Sequence, residues 1–362
     1  MSSAETLIPT ATTISAEWLT ERLRASVDPG ATVTDFSAHN IGTGQVGQCL
    51  RIELELAGAQ PDTPTRLIAK LPSSDPTSSA TGVALRNYYR EVMFYREIAP
   101  RLSIRLPHCY HADIDGEGPA FILLLEDLAP AQPGNQLEGC RPEIAEAAAL
   151  ELVGLHAPSW CDESLKGYDY LHAEPSPEAP QVGDMYRQLL PGFIDRYGPS
   201  LAADERRIIE AVAEAAEPPL FRPLSTPFSL EHVDYRLDNM MIDERTGTPR
   251  LTVLDWQSIR VGKPLNDVAY FIGAGMLPEV RRPVEEGIVR RYYDALCSAG
   301  VSNFEWADCW QRYREGTFAG FGITVIASMI VVQTERGDAM FTAMAQRHAR
   351  HALDLGADAF LT

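Results

Sequence analysis

The sequence predicts an α+β protein with a small N-terminal lobe built on an antiparallel sheet and a larger, mainly helical C-terminal lobe. The period-2 alternation that is typical of strands dominates the first third of the 362 residues. Helical periodicity dominates from Arg141 onwards. A chain of this length is expected to form about two or three domains. We therefore predict an N-terminal lobe over residues 1–128 and a C-terminal lobe over residues 129–362.

Five segments of the first lobe have the pattern of strands. Leu50, Ile52, Leu54 and Leu56 alternate with polar residues, which indicates a half-buried strand. The predicted strands are residues 33–41, 49–56, 66–71, 106–112 and 119–125. A short helix is expected before residue 32, a polar loop over residues 72–81, and one further helix over residues 83–98, which Pro100 ends.

The second lobe is predicted from helical spacing and one hairpin. The hairpin joins residues 240–243 to residues 251–254. Helices are predicted over residues 144–156, 185–197, 202–215, 264–276, 279–299, 303–333 and 336–357. The longest apolar run, residues 318–332, is shorter than the roughly 20 residues that a membrane helix needs, so we predict a buried helix there.

Charge and cysteine content restrict the partners and the compartment. The 31 basic and 50 acidic side chains give a formal charge of −19. This charge argues against nucleic acid and anionic membrane as main partners, because both attract basic surfaces. The N-terminus lacks the pattern of a secretory signal, and the six cysteines show no metal-binding or disulfide spacing. We expect a cytoplasmic protein with reduced thiols, and the sequence leaves the oligomeric state open.

Three oxygen-bearing side chains suggest the chemistry. Asn239 follows Asp234 by five residues, and Asp255 follows sixteen residues later at the end of an apolar run, so the three can converge. Phosphoryl transfer depends mainly on positioning and on neutralising charge. Mg²⁺, which that reaction uses, prefers oxygen ligands. We predict that Asp234 faces an acceptor hydroxyl and that Asn239 and Asp255 hold Mg²⁺.

The same region resembles a known superfamily. The stretch from His232 to Asn239 is similar to the catalytic loop of protein-kinase-like enzymes. Together with the triplet Asp255-Trp256-Gln257 and the later Gly262-Lys263-Pro264 and Asp267, it resembles the aminoglycoside phosphotransferases and the choline- and ecdysteroid-kinase-like small-molecule kinases, and also the kinase-like domain that precedes some acyl-CoA dehydrogenases. The resemblance implies a protein-kinase-like bilobal fold. Two positions depart from it, because these families usually have glycine at Val233 and the triplet usually reads Asp-Phe-Gly.

A glycine-rich turn between the first two strands is the candidate phosphate loop. Gly42, Gly44 and Gly47 have the spacing of dinucleotide-binding folds, in which a helix follows the glycines. Here the period-2 pattern predicts a strand instead, which favours a kinase-type loop, with a hairpin turn that binds nothing as the alternative. Lys70 ends the third strand and resembles the kinase lysine that contacts the α and β phosphates; the alternative is a surface lysine.

The resemblance also implies roles for other residues. Glu91 would pair with Lys70, with Glu97 as its rival, and the stretch containing Glu126 and Leu128 would bind the adenine through backbone groups. Asp267 resembles the aspartate that ties down the catalytic-loop backbone. Arg236 is expected either to contact the transferred phosphoryl group or to be a surface charge, and His156 is expected to be a packed structural residue.

The leading hypothesis is a small-molecule kinase that uses ATP or GTP and Mg²⁺, with Asp234 as the catalytic base. A nucleotide-binding pseudokinase scaffold is the alternative, and a dinucleotide enzyme is a third hypothesis that leaves Asp234 to Asp255 unexplained. The acceptor stays open among aminoglycosides, choline-like amines, sterol-like alcohols, sugars, macrolides and hydroxyacyl thioesters. The loop and triplet lean towards the hydroxyacyl and lipophilic-alcohol relatives.

Overall fold

The computed structural model describes residues 8–42, 47–171 and 182–361, and the chain divides into two compact units. The first unit contains Met1–Arg101, Leu106–Pro130 and Asp255–Ser258. The second contains Leu102–Arg105, Ala131–Leu254 and Ile259–Thr362. The fold is α+β, as predicted. The single boundary after residue 128 stays a prediction.

The first unit is built on a five-stranded antiparallel sheet in the order β1-β2-β3-β5-β4. Along β2, Leu50, Ile52 and Leu54 are buried while Glu53 and Glu55 are exposed, which confirms the alternation read from the sequence. The strands are β1 (Thr32–Ile41), β2 (Gly47–Ala57), β3 (Arg66–Pro72), β4 (Cys109–Ile114) and β5 (Phe121–Glu126). Helix α1 (Ala16–Ser26) contributes Leu19 and Leu23 to the apolar core of this sheet.

Two further helices precede β4, and one of them corrects a prediction. Residues 72–81 are not a continuous loop, because helix α2 (Pro76–Ala84) begins there. Its N-terminus is stabilised by the Asp75 carboxylate, which accepts a hydrogen bond from the backbone N–H of Ser78 at 2.7 Å, and proline occupies its first position. Arg86 has φ 55°, so the chain turns before helix α3 (Asn87–Met93). Helix α3 continues as a π-helical turn over Phe94–Ile98.

The second unit is mainly helical, and its central helix positions the candidate site. Every residue of α8 (Pro264–Gly275) is buried except Asn266, and this helix packs against α4, α11, α12 and α14. The remaining helices are α4 (Pro142–Glu151), α5 (Val153–His156), α6 (Val182–Tyr197), α7 (Ala203–Glu214), α9 (Pro278–Arg281), α10 (Glu285–Ser298), α11 (Trp306–Gly316), α12 (Ala319–Gly322), α13 (Ser328–Ile330) and α14 (Glu335–Asp354).

The described residues of the second unit also contain five short strands. The predicted hairpin is β8 (Met240–Asp243) and β9 (Arg250–Val253), with Met240 opposite Val253. The structure adds β6 (Gln132–Pro133), which pairs with β8, and an antiparallel pair of β7 (Ser229–Glu231) and β10 (Arg260–Gly262), none of which we predicted. Strand β7 leads directly into the candidate catalytic loop.

The apolar run over residues 318–332 is not one continuous buried helix. It forms α12, a π-helical turn over Ile323–Ala327 and α13, and the chain then leaves the helix. Ile330 and Val332 are 44% and 61% exposed, so the prediction of burial is wrong at this end. Thr334 caps the next helix by accepting a hydrogen bond from Gly337, which fixes the turn. None of the helices in the described part of the chain is long and apolar enough to cross a membrane.

Candidate active site

In the first unit, Lys70 lies between two carboxylates. Its Nζ donates to Glu91 at 2.7 Å and to Oδ1 of Asp255 at 2.8 Å. The Lys70 and Glu91 side chains are only 14% and 2% exposed. Burial alone would lower the pKa of Lys70, but the charges of Asp255 and Glu91 outweigh it and raise that pKa, so the lysine is fully charged. Of the two glutamates considered from the sequence, Glu91 is thus the partner of Lys70.

The triplet that carries Asp255 is anchored to helix α3. Trp256 is fully buried and stacks on Phe94, with ring centroids 4.2 Å apart and planes 10° apart. The carbonyl of Gln257 accepts a hydrogen bond from Arg90 at 2.7 Å. Asp255 itself has φ 64°, a left-handed conformation that aspartate tolerates better than most residues. Because α3 also carries Glu91, these contacts bring both carboxylates to Lys70.

The structure describes two of the three candidate phosphate-loop glycines. Gly42 has φ 72°, which favours glycine, and Gly47 begins β2. A Cβ on Gly47 would lie 3.3 Å from the carbonyl oxygen of Leu71, a tight contact, and 3.5 Å from Cε of Lys70, an ordinary one. Gly44 lies outside the described residues. Phosphate binding by this turn stays a prediction.

The predicted adenine-binding stretch follows strand β5. The Glu126 carboxylate accepts a hydrogen bond from the backbone N–H of His108 at 3.2 Å, and Leu128 is half-buried. Asp127 between them forms an ion pair with Nε of Arg51 at 2.9 Å. These contacts fix the chain at the end of the sheet. The binding of a nucleotide base here stays a prediction.

In the second unit, two hydrogen-bond donors and one ion pair hold the Asp234 carboxylate. Oδ1 accepts a hydrogen bond from the Tyr270 hydroxyl at 3.0 Å and lies 3.1 Å from Nε of Arg236. Oδ2 accepts from Nδ2 of Asn239 at 2.9 Å. Arg236 also contacts the sulfur of Met340, and its side chain is 19% exposed, so it is not the solvated surface charge that one reading of the sequence allowed. Neither Tyr270 nor Met340 was among the predicted residues.

The donor set at Asn239 fits a cation. Its Nδ2 donates to both the carbonyl and Oδ2 of Asp234 at 2.9 Å. Because these two partners only accept hydrogen bonds, the amide nitrogen must face them, and Oδ1 is left for another ligand. Asp255, in the first unit, has a side chain that is 27% exposed. An amide oxygen and a carboxylate are ligands that Mg²⁺ uses. Among the described residues, no group of three or more His, Cys, Asp or Glu side chains is placed to hold a metal.

Asp267 holds the backbone that precedes Asp234. Its Oδ2 accepts from the N–H of His232 at 2.7 Å, and its Oδ1 accepts from the N–H of Val233 at 2.9 Å. Val233 has φ 76°, a conformation that is strained for a β-branched residue. This backbone conformation accounts for the glycine usual at this position in the resembling families.

His156 supports Asp267 from the other side. Its Nδ1 shares a hydrogen bond of 2.7 Å with the Tyr292 hydroxyl, and its Nε2 lies 3.5 Å from Oδ2 of Asp267. The ring is fully buried. His156 is therefore a packed residue beneath the loop, as the sequence led us to expect.

Comparison with known proteins identifies relatives of this arrangement. The sequence model of the ecdysteroid kinase-like family matches residues 42–300. No curated protein sequence matches the chain.

Solved structures of the same fold cover nearly the whole chain. Choline kinase from Cryptosporidium parvum Iowa II has a TM-score of 0.53 at 11% identity, over 95% of this chain and 96% of the other. The GDP complex of wild-type aminoglycoside 2′-phosphotransferase-IIIa gives 0.52 at 10% identity, over 93% and 99%. A candidate aminoglycoside phosphotransferase from Ralstonia eutropha JMP134 gives 0.50 at 15% identity, over 94% and 98%. At these identities the similarity establishes a kinase-like fold.

Proposed function

This chain belongs to the ecdysteroid kinase-like family, and we propose that it transfers the γ-phosphoryl group of ATP or GTP to a hydroxyl group of a small molecule, with Mg²⁺. The observation that carries the proposal is the ion triad of Lys70, Glu91 and Asp255, in which Glu91 is buried and the other two side chains are partly exposed. A partly buried lysine with two carboxylate partners suits the binding of polyphosphate, because it is charged and held in place. The kinase-like fold and the family support the same chemistry.

The first unit supplies the groups proposed for the nucleotide. Lys70 would contact the α and β phosphates, and Glu91 would keep the ammonium group in position. The turn over residues 42–47 would cover the phosphates, and the backbone near Glu126 and Leu128 would receive the base. A GDP complex exists for an aminoglycoside phosphotransferase of the same fold, so both ATP and GTP are candidates.

Asn239 and Asp255 would hold Mg²⁺. When bound, the metal would neutralise negative charge that develops on the phosphate oxygens. The orientation of the Asn239 amide supports this assignment, since Asp234 takes the nitrogen and leaves the oxygen.

Asp234 is proposed to act on the acceptor. Its carboxylate would orient the hydroxyl and accept its proton, while the alcohol oxygen bonds to the γ-phosphorus and the nucleoside diphosphate leaves with the bridging oxygen. Such a base typically contributes about 10²- to 10⁴-fold to the rate. Arg236 forms an ion pair with this carboxylate, with Nε 3.1 Å from Oδ1, and its positive charge would attract the transferred phosphoryl group.

The test is nucleotide consumption with Mg²⁺ across a panel of hydroxylated metabolites and antibiotics. Asp234→Asn should abolish turnover and keep nucleotide binding. Asp243→Asn is a matched control, because Asp243 pairs with Arg245 two residues later just as Asp234 pairs with Arg236, but on an exposed hairpin. We expect that control to retain turnover.

The outcomes separate the two functional hypotheses. Turnover with one acceptor, lost only in Asp234→Asn, would support a kinase and name its substrate class. Nucleotide binding without any turnover, water included, would favour the pseudokinase scaffold. Absence of nucleotide binding would refute both.

A further inference from the structure

Tyr270 is a buried side chain whose hydroxyl meets the proposed catalytic base. It is 1% exposed, and its hydroxyl lies 3.0 Å from Oδ1 of Asp234. Burial and the neighbouring Asp234 carboxylate raise the pKa of Tyr270 well above its ordinary value of 10.0, so the hydroxyl keeps its proton and is the donor. No role for Tyr270 follows from the motifs in the sequence.

Helix α8 holds three consecutive loop residues through two of its side chains. Asp267 and Tyr270 are three positions apart and therefore share a face of the helix. Asp267 accepts from the backbone N–H groups of His232 and Val233, and Tyr270 donates to the side chain of the next residue, Asp234. The helix thus fixes both the loop backbone and the carboxylate.

The ring of Tyr270 is itself held in place. It stacks on His348 of α14, with centroids 5.1 Å apart and planes 26° apart. Burial, with the nearby charges of His351, Arg347 and Arg281, lowers the pKa of His348 to about 3, so the stacked ring is neutral. Gly320 makes room for that ring, because a Cβ there would lie 2.3 Å from it. Tyr270 therefore cannot turn away without moving a close-packed neighbour.

The protein groups around Asp234 are distributed unequally between its two carboxylate oxygens. Each carboxylate oxygen can accept about two hydrogen bonds. Oδ1 accepts a hydrogen bond from Tyr270 and also forms the ion pair with Arg236, whereas among the described residues Asn239 is the single protein group that contacts Oδ2. Oδ2 therefore has more room for the acceptor hydroxyl than Oδ1 has.

We propose that Tyr270 is a positioning residue that commits Oδ1 of Asp234 to the protein and leaves Oδ2 to receive the proton of the acceptor hydroxyl. This inference rests on the proposed kinase function. Loss of the tyrosine hydroxyl would free the carboxylate to rotate, so fewer enzyme molecules would present Oδ2 to the acceptor. A residue with only a packing role would not need the hydroxyl, since phenylalanine has the same ring.

The experiment compares Tyr270→Phe with Tyr186→Phe. Tyr186 is equally buried in the same unit, but its hydroxyl donates to the backbone carbonyl of Ile209 at 2.9 Å. The kcat and the nucleotide KM are measured for hydrolysis with water as acceptor, so the assay does not depend on the identity of the natural acceptor. ATP-Mg²⁺ binding and thermal unfolding of each variant establish that it is folded.

We expect Tyr270→Phe to lower kcat by at least about tenfold, the effect of losing one hydrogen bond to a charged group, with KM for nucleotide unchanged. Tyr186→Phe should change neither quantity.

Two results would count against the inference in distinguishable ways. If Tyr270→Phe matches Tyr186→Phe in kcat and in nucleotide KM while Asp234→Asn is inactive, the positioning role is wrong and the kinase proposal stands. If the wild type hydrolyses no nucleotide, or Asp234→Asn turns over normally, the kinase proposal fails and the role of Tyr270 fails with it.

Discussion

Replacing Asp267 with asparagine should destabilise the protein by about 2–4 kcal/mol, because its two oxygens serve two backbone donors that cannot turn away. The carboxylate is fully buried and accepts from His232 at 2.7 Å and from Val233 at 2.9 Å. Asparagine has nearly the same shape but only one oxygen. Whichever way the amide is turned, its nitrogen faces one of the two N–H groups.

The magnitude follows from these two contacts. The hydrogen bond that is lost involves a charged acceptor, which is worth about 1.5–3 kcal/mol. The bond that remains changes from a charged to a neutral acceptor and loses about half its strength, roughly another 0.5–1 kcal/mol. The sum is a large part of the roughly 5–15 kcal/mol that stabilises a typical protein. The strained Val233 backbone, at φ 76°, would also be held less firmly.

The assay is urea unfolding followed by tryptophan fluorescence, with nucleotide turnover measured on the folded variant. Asp338→Asn is the control, because Asp338 accepts from a tyrosine hydroxyl at 2.7 Å and from a glutamine amide at 2.6 Å. Those two side chains can reorient to suit an amide, so the control should lose less than about 1 kcal/mol. Equal losses for the two variants would refute the argument that Asp267 serves fixed backbone donors.

Two further predictions concern buried charge. Burial lowers the pKa of His348 from 6.5 to about 3. Below about pH 6.5 the unfolded chain therefore binds a proton at this histidine that the folded chain does not bind. The free energy of unfolding should be highest above that pH and should decline below it by up to about 1.4 kcal/mol per pH unit. Urea unfolding at several pH values should show a shallower decline for His348→Phe, and an unchanged slope would contradict this account. Lys70→Met should abolish turnover and cost about 3–5 kcal/mol by leaving Glu91 buried without a counter-charge. Adding Glu91→Gln to Lys70→Met should restore part of the stability but no activity. A double variant no more stable than Lys70→Met would show that Glu91 does not need the positive charge of Lys70.

The sheet of the first unit could be predicted because burial on one face imposes a period of two. Leu50, Ile52 and Leu54 carry that signal, and each is buried. Helix α2 was missed although Asp75 followed by Pro76 is a start signal for a helix. The Ser- and Thr-rich composition after them indicates a loop when it is considered alone. Here the local cap, rather than the average composition, decided the structure.

The polar groups of the candidate site were predictable where they lie close together in the sequence. Asp234 and Asn239 are five residues apart, and the structure joins them by a hydrogen bond. Tyr270 lies in a helix that is buried almost all round, so its periodicity cannot tell which side chain meets the loop. Met340, which contacts Arg236, is 104 residues away from it. Contacts of that kind depend on tertiary packing that no local pattern contains.

Val233 is a departure from the family pattern that can be seen in the sequence but can be explained only from the structure. A β-branched residue at φ 76° violates a local rule, and such violations persist only where the surrounding structure enforces them. The enforcing group is Asp267, which binds the N–H of Val233 and that of the preceding residue. The strained residue lies immediately before Asp234, so the same constraint that stores the strain also directs the carboxylate towards Tyr270 and Asn239. Valine at position 233 is therefore compatible with a catalytic loop. Asp267 of α8 holds its backbone in the conformation that glycine would adopt without strain.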